Sequence, residues 1–303
     1  CRYGVMLRDD GMIFDDGTVA RMDEEHYIMT TTTANAGPVM AHLEHYLQVV
    51  WPELDVHLTS ITDQWAVTAV AGPRARQLLE NLDSDMEFAN QALPFMGWRA
   101  GQIGGIPAQV YRISFSGELA YEVAVPAGHG QACWEMLLAA GKALDVIPYG
   151  TEALTTLRVE KGHFVMGPEA DGRASADDIG LSGMLSKRKD FIGRRSLRLP
   201  ALAPEGRLNL VGLLPVDGKT AIPPGALILD RATAAPEAEK AGHVATAVFS
   251  PNLDQPIATA MVINGRGRLG AQLWAHSPLD NRIVPVEVVH PVFIDPKGER
   301  LRA

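Results

Sequence analysis

Residues 11–21 have the sequence GMIFDDGTVAR, in which two adjacent carboxylates, Asp15 and Asp16, stand among strand-forming residues. Further along the chain, residues 112–123 have the sequence RISFSGELAYEV and place Glu122 in a similar setting. Both stretches combine aliphatic, aromatic and β-branched residues with a nearby glycine, a pattern that is typical of strands bounded by turns. Each stretch is therefore predicted to be a strand that presents an acidic side chain on one face of a sheet.

The alternation of side chains along a strand assigns these residues to faces. Asp15 and Asp16 would point in opposite directions, so that one can face a pocket while the other faces away from it. Glu122 would lie on the face opposite Tyr121 and Val123. A purely structural interpretation stays open at both places, because Asp-Asp-Gly is a common turn sequence and a charge on a half-buried strand is commonly exposed.

The first two thirds of the chain alternate between strand-like and helical segments, as in α+β units of the ferredoxin-like kind. Residues 167–180 are rich in Gly, Pro and Asp and are predicted to form a long loop. The predicted strands are 12–20, 27–33, 65–71, 105–112 and 119–125, and the predicted helices begin at Pro38 and cover 74–82, 131–144 and 151–161, with Gly162 ending the last one.

The last third has a different pattern, with short Val and Leu runs separated by Pro and Gly. Such spacing predicts a small antiparallel β-barrel. Pro200, Pro204 and Gly206 mark the linker before it, and the composition of residues 232–241 predicts a loop. The fold class is therefore α+β, with a first domain at 1–198 and a barrel domain at 199–303. The runs assigned to the barrel are 208–215, 226–229, 242–249, 257–263 and 284–289.

The composition disfavours several classes of protein. The 303 residues are 47% hydrophobic and 21% charged, which is ordinary for a globular protein with a substantial core. The net charge of −9 disfavours a nucleic-acid-binding protein, which usually has a basic face. No apolar run is long enough to predict a membrane span, and no signal peptide is visible.

The sequence predicts neither a metal site nor a dinucleotide site. Cys1 and Cys133 are far apart, and the nine histidines have no metal-binding spacing. Two cysteines without a disulfide pattern suit a reducing compartment, so we expect a cytoplasmic protein. No glycine-rich fingerprint opens a helix after a strand, and residues 265–270, GRGRLG, are predicted to be a β-turn.

Three further stretches narrow the interpretation: YGVMLRDDG at 3–11, MTTTTANA at 29–36 and PYGTEA at 148–153. Together with the two acidic stretches they resemble the aminomethyltransferase family, which includes the T-protein of the glycine cleavage system. These stretches most resemble the branch of that family found in the alpha subunits of heterotetrameric sarcosine oxidases. Because the chain enters strand-like sequence directly at Cys1, we expect an N-terminally truncated piece of a longer protein.

The resemblance implies an aminomethyltransferase-like domain that binds tetrahydrofolate. Asp16 matches the family's catalytic aspartate, which lies against N10 of the folate, and Glu122 matches the glutamate that binds the pterin ring. Paired N–H donors of a pterin suit a carboxylate, since charge-assisted hydrogen bonds are strong. The remaining positions that the resemblance places at the folate cavity are Thr33, Asn35, Phe115 and Tyr149.

Two positions depart from the family pattern. Phe115 stands where many relatives have tyrosine, so a hydroxyl is lost there, and an aromatic core residue is an equally good interpretation. Leu154 stands where the glycine cleavage enzyme has a folate-binding arginine, and this change points to the oxidase branch. Arg158, in the same predicted helix, is expected to be a structural salt-bridge partner.

The implied function is capture of the one-carbon unit from sarcosine demethylation as 5,10-methylenetetrahydrofolate. FAD, FMN and NAD would belong to other parts of the complex, and the partners would be the beta, gamma and delta subunits. One alternative is a folate-dependent aminomethyltransferase or a dimethylglycine-type dehydrogenase or demethylase. Another is a non-catalytic folate-binding protein for iron–sulfur cluster assembly, but the cysteine of that branch is absent after Lys161-Gly162.

Overall fold

The computed structural model of the protein describes residues 1–203, 205–235 and 238–303. These residues form two compact units. The first unit contains residues 1–4, 15–149 and 298–303. The second contains residues 5–14 and 150–297. The expected domain boundary between residues 198 and 199 stays a prediction, because both units draw on separate stretches of the chain.

A four-stranded antiparallel sheet dominates the first unit. Its strands lie in the order β4, β7, β6, β5, so that β7 is central and β4 and β5 are the edges. The bounds are β4 Trp65–Ala71, β5 Trp98–Ile103, β6 Ile106–Tyr111 and β7 Ala120–Pro126.

One face of this sheet is covered by helices α2, Ala75–Glu80, and α3, Gly130–Gly141. Alternate residues of β7 reach this core, where Tyr121 and Val123 have no exposed surface. Burial of such large apolar side chains contributes roughly 1.5–3 kcal/mol each, which makes this face the main source of stability in the unit. The other face therefore carries the intervening residues, Glu122 among them.

A three-stranded sheet in the order β1, β2, β3 and helix α1 complete this part of the chain. Helix α1 continues into a π-helical turn at Tyr46–Val50. In the pairing of β2 with β3, Val19 lies opposite Met29. The bounds are β1 Arg2–Leu7, β2 Ile13–Arg21, β3 Tyr27–Met29 and α1 Ala36–His45.

The second unit contains helix α4, Thr151–Lys161, and a closed antiparallel barrel of six strands. The barrel order is β10, β11, β8, β13, β12, β9, and β9 pairs with both β10 and β12 to close it. Closure leaves no unpaired edge, and the inward side chains fill the interior. The bounds are β8 Leu208–Pro215, β9 Leu227–Leu229, β10 Lys240–Ser250, β11 Gln255–Ile263, β12 Gln272–Ser277 and β13 Arg282–Val289. The short helix α5 that follows, Glu299–Arg302, belongs to the first unit.

The predicted α+β class and the barrel are confirmed, with local differences. Strand β3 ends at Met29, and the predicted strand residues beyond it turn into a 3-10 helix at Thr33–Asn35. Strands β5 and β12 are additional to the prediction. Residues 265–268, predicted as a β-turn, form a 3-10 turn. Pro204 of the linker and residues 236–237 of the predicted loop at 232–241 lie outside the described residues, and residues 240–241 of that loop belong to β10.

Among the described residues, no helix has both the length and the apolar character needed to cross a membrane.

Candidate functional site

Asp15 lies within strand β2 and anchors a neighbouring turn. Its side chain is fully buried, and its two carboxylate oxygens accept hydrogen bonds from the backbone N–H of Thr32 and the side-chain amide of Asn35, each at 3.0 Å. The turn interpretation of Asp-Asp-Gly is therefore wrong, because β2 continues through these residues to Arg21. Asp15 is satisfied as a buried anion by donors from the Thr32–Asn35 turn.

Asp16, the next residue, is only partly buried and has a different partner. The hydroxyl of Tyr3 in strand β1 donates a hydrogen bond to Oδ2 of Asp16 at 2.6 Å. Burial raises the pKa of Asp16 and the nearby charge of Asp15 raises it further, whereas the Tyr3 hydrogen bond lowers it. The strand alternation thus separates a buried anchoring carboxylate from an accessible one.

Gly17 allows the backbone of strand β2 to approach Thr30, which follows strand β3, more closely than a residue with a side chain could. A Cβ atom at Gly17 would lie 2.0 Å from the carbonyl oxygen of Thr30. The backbone N–H of Thr18 donates to the Thr30 hydroxyl at 2.9 Å, and the N–H of Thr30 donates to the carbonyl of Thr18 at 2.8 Å. The glycine after the two aspartates is therefore required by close packing of backbone and hydroxyl groups.

Glu122 lies on the sheet face opposite the helices. Directly paired residues of antiparallel strands share a face, and Glu122 is paired with Ala69 of β4 and Tyr111 of β6. Tyr111 is in turn paired with Trp98 of β5, and the two aromatic rings are 6.5 Å apart. This Glu122 face, defined by Glu122, Tyr111 and Trp98, combines one carboxylate with two aromatic rings.

The charge of Glu122 acts on two nearby tyrosines, Tyr111 and Tyr149. Burial raises the pKa of Tyr111 to about 12, with a further contribution from the charge of Glu122. Burial and the same charge raise the pKa of Tyr149. Burial raises the pKa of Glu122 itself. Glu122 is therefore a poorly hydrated carboxylate that favours a partner with hydrogen-bond donors.

Trp98 connects the Glu122 face to the strand that carries Asp16. Its indole Nε1 donates a hydrogen bond at 2.9 Å to the carbonyl oxygen of Arg21, the last residue of β2. Because Trp98 lies on the same face as Glu122, this bond brings the end of β2 to that face of the sheet. Asp16 and Glu122 belong to the same compact unit.

The other expected site residues lie outside the strands of the same unit. Thr33 and Asn35 begin and end a 3-10 helix, and the Asn35 amide holds Asp15. Phe115 is 41% exposed in a turn that Ser114 closes by donating to the carbonyl of Glu118 at 2.6 Å. Asn35 is therefore hydrogen-bonded to Asp15, and Tyr149 is close enough to Glu122 for the carboxylate charge to raise its pKa. Their roles in binding stay predictions.

The sequence reasoning missed Tyr3, Trp98 and Tyr111. Tyr3 lies in the stretch YGVMLRDDG, where its residue type alone predicts no role, and Trp98 lies in a strand that the sequence pattern does not predict. Tyr111 lies inside the predicted strand 105–112, where its residue type is ordinary for a strand. Its pairing with Glu122 needs the strand register, which a single sequence does not define.

Arg158 has the structural role that was predicted for it. Its guanidinium donates to the buried carboxylate of Glu169 at 2.8 Å, within the second unit. Leu154 is also part of α4 in that unit. Within the parts of the chain that the structure describes, no group of three His, Cys, Asp or Glu side chains could hold a metal ion.

Comparison with known proteins agrees with this architecture. Residues 1–189 match the family model of the GCVT N-terminal domain, and residues 209–295 match the glycine cleavage T-protein C-terminal barrel domain. The chain is 45% identical over 303 residues to sarcosine oxidase subunit alpha of Rhizobium meliloti (strain 1021), covering 99% of this chain and 30% of that protein. It therefore spans under a third of the length of this relative.

Two further relatives are aminomethyltransferases. The protein of that name from Streptomyces coelicolor is 30% identical over 266 residues, which are 86% of this chain and 68% of that protein. The crystal structure of the glycine cleavage system aminomethyltransferase T from Bartonella henselae has the same fold, with a TM-score of 0.80. It is 24% identical and covers 97% of this chain and 75% of that chain. The chain therefore belongs to the glycine cleavage T-protein family of aminomethyltransferases.

Proposed function

We propose that this chain binds tetrahydrofolate in its first unit and catalyses transfer of a one-carbon unit to it, giving 5,10-methylenetetrahydrofolate. The observation that carries the proposal is the hydrogen bond from Trp98 on the Glu122 face to Arg21 at the end of β2. This bond ties the strand of Asp16 to the face of Glu122, and both carboxylates are partly buried in the same unit. Membership of the aminomethyltransferase family supports the same assignment.

Glu122 is the group that we assign to recognition of the pterin ring. A pterin presents a ring N–H and an amino N–H side by side, and a carboxylate can accept both in parallel. Burial disfavours the charged form of Glu122, and two N–H donors would offset that loss of hydration. The rings of Tyr111 and Trp98 on the same face provide apolar surface for a flat ligand. These side chains therefore fit the ligand that the family implies.

Asp16 is the group that we assign to the reaction. When bound, tetrahydrofolate supplies the nucleophilic nitrogens N5 and N10 that together hold the one-carbon unit. A fixed carboxylate in a partly dehydrated site stabilises positive charge that develops nearby, or accepts a proton from a nitrogen. Asp16 has this character, since it is partly buried and held by the Tyr3 hydroxyl. Orientation by Glu122 would lower the entropic part of the barrier.

The source of the one-carbon unit is proposed from the relative in Rhizobium meliloti. That protein is named sarcosine oxidase subunit alpha, and the identity extends over nearly all of this chain. We therefore infer that a flavin-containing part of a multi-subunit oxidase demethylates sarcosine and that this chain captures the product. In such an enzyme, Asp16→Asn should keep sarcosine-dependent flavin reduction but lose methylenetetrahydrofolate and release formaldehyde. Loss of both reactions would contradict this division.

Anaerobic calorimetric titration of tetrahydrofolate into the chain tests the binding site. Glu122→Gln keeps the shape of the side chain but removes its charge and presents an N–H group to the ligand's donors. Hydrogen bonds to charged groups contribute about 1.5–3 kcal/mol, so affinity should fall roughly 10-fold to 150-fold.

Glu135→Gln is the matched control for that titration. Glu135 is an exposed glutamate of α3, the helix that packs on the opposite face of the sheet. This variant should bind as tightly as the unaltered chain. Equal affinity of the Glu122→Gln variant, or no binding by the unaltered chain, would refute the proposed site.

A further inference from the structure

The hydrogen bond between Tyr3 and Asp16 is short and joins two adjacent strands. The oxygen–oxygen distance of 2.6 Å lies in the short range of bonds from a hydroxyl to an ionised carboxylate. Tyr3 is on β1, the edge strand of its sheet, and Asp16 is on the adjacent strand β2. The pair therefore depends on the register of two strands and is not a chance contact between mobile side chains.

Each partner favours one protonation state of the other: Asp16 favours the protonated Tyr3 hydroxyl, and the Tyr3 hydrogen bond favours ionised Asp16, although the pKa of Asp16 is raised overall. Burial, and then the charge of Asp16, raises the pKa of Tyr3, so that its hydroxyl stays protonated and remains a donor. Burial and the adjacent Asp15 both favour the neutral form of Asp16. The hydrogen bond from Tyr3, on the adjacent strand, opposes these two effects and favours the ionised form of Asp16.

We propose that Tyr3 is a positioning residue of the one-carbon transfer site, which acts through Asp16 by holding its carboxylate ionised and in one orientation. This role rests on the proposed function of Asp16. An aspartate can stabilise positive charge or accept a proton only while it is ionised. Asp15 cannot substitute for it, because both oxygens of Asp15 are bonded to the Thr32–Asn35 turn on the other face of the strand.

The charged and titratable groups around Asp16 define the expected pH dependence. Among the residues that the structure describes, the groups that act on the Asp16 carboxyl are Asp15 on the same strand, which disfavours the ionised form, and Tyr3 on the neighbouring strand, which favours it. Loss of the Tyr3 hydroxyl therefore raises the pKa of Asp16. Each unit of such a rise lowers the ionised fraction about tenfold at a pH below the midpoint.

The test is a pH titration of the Asp16 carboxyl carbon by NMR in the full chain, with Asp16→Asn used to assign the signal. Tyr3→Phe should move the midpoint to higher pH. Tyr27→Phe is the control, because Tyr27 lies in strand β3 of the same sheet and its hydroxyl donates to the carbonyl of Glu24 at 3.4 Å, away from Asp16. A midpoint that stays in place in Tyr3→Phe, with folding verified by circular dichroism, overturns the proposal.

A second measurement separates positioning from general damage to the fold. The acid limb of tetrahydrofolate-dependent one-carbon transfer in Tyr3→Phe should shift to higher pH by the same amount as the NMR midpoint. Activity should recover at a pH where Asp16 is ionised in both proteins. Equal loss at every pH would mean that Tyr3 is merely structural and would overturn the proposal.

The two measurements also distinguish this inference from the proposed function. If the unaltered chain fails to bind tetrahydrofolate while Tyr3→Phe still moves the Asp16 midpoint, the proposed function fails and the coupling of the two residues stands. If tetrahydrofolate binds and the midpoint does not move, the role of Tyr3 fails alone.

Discussion

Replacement of Arg158 by methionine should destabilise the second unit strongly. Arg158 and Glu169 form an ion pair at 2.8 Å whose side chains are 4% and 0% exposed. Methionine keeps much of the apolar stem of the arginine but removes its charge and its donors. Glu169 would then be a buried carboxylate without its cation, and breaking such a pair costs about 3–5 kcal/mol.

The remaining contacts of Glu169 place the expected loss near the lower end of that range. Its Oε1 also accepts hydrogen bonds from the hydroxyls of Thr246 at 2.9 Å and Thr259 at 2.6 Å. Its Oε2 accepts the backbone N–H of Val165 at 3.1 Å. We therefore expect the free energy of unfolding to fall by about 3 kcal/mol, which is more than a hundredfold in the folding equilibrium constant.

Urea unfolding followed by circular dichroism measures this loss. Arg300→Met, which breaks the more exposed pair of Arg300 with Glu118, is the control and should cost at most about 1 kcal/mol. Adding Glu169→Gln to Arg158→Met should recover part of the loss, because the uncompensated buried charge is removed. The reasoning is refuted if Arg158→Met costs no more than Arg300→Met, or if the two changes in the double variant are additive.

Three further predictions concern the first unit. Gly17→Ala should disrupt the β2–β3 pair and abolish tetrahydrofolate binding, because its Cβ would lie 2.0 Å from the carbonyl oxygen of Thr30; a normal melting temperature would contradict this. Glu122→Gln should stabilise the free protein at neutral pH, since burial raises the pKa of Glu122 above its unfolded value and the charged form is disfavoured in the folded state. That gain should shrink as the pH falls through the folded pKa, and a gain that grows in acid during thermal unfolding would refute it. Trp98→Phe removes the hydrogen bond to Arg21 and should lower the free energy of unfolding by about 1 kcal/mol. It should also weaken folate binding in calorimetry, and an unchanged affinity would show that this hydrogen bond does not support the binding site.

Local patterns were sufficient for much of the fold. The alternation around Glu122 predicts that Tyr121 and Val123 lie on the face opposite the carboxylate, and in the structure both are fully buried there. Gly162 ends α4 in a left-handed conformation with φ of 74°, which is the expected role of a glycine at a helix C-terminus. Both features depend on residues close in sequence, and a single sequence contains that information.

Non-local pairing was beyond a single sequence. Strand β5 was missed because its centre is Gly101, which weakens a strand pattern and is needed where the side chain of Asp85 approaches the backbone. The contact of Tyr3 with Asp16 and the pairing of Tyr111 with Glu122 both depend on strand register. The surroundings of each candidate carboxylate therefore required coordinates, although the carboxylates themselves could be chosen from sequence.

The central claim is that Asp16 and Glu122 border one folate site in the first unit. A crystal structure of the chain grown anaerobically with an oxidation-stable reduced folate, 5-formyltetrahydrofolate, tests it most directly. The account predicts the amino edge of the pterin within hydrogen-bonding distance of the Glu122 carboxylate, and N10 beside the Asp16 carboxylate. A reduced folate bound elsewhere, or one bound here without contact to either carboxylate, would contradict it.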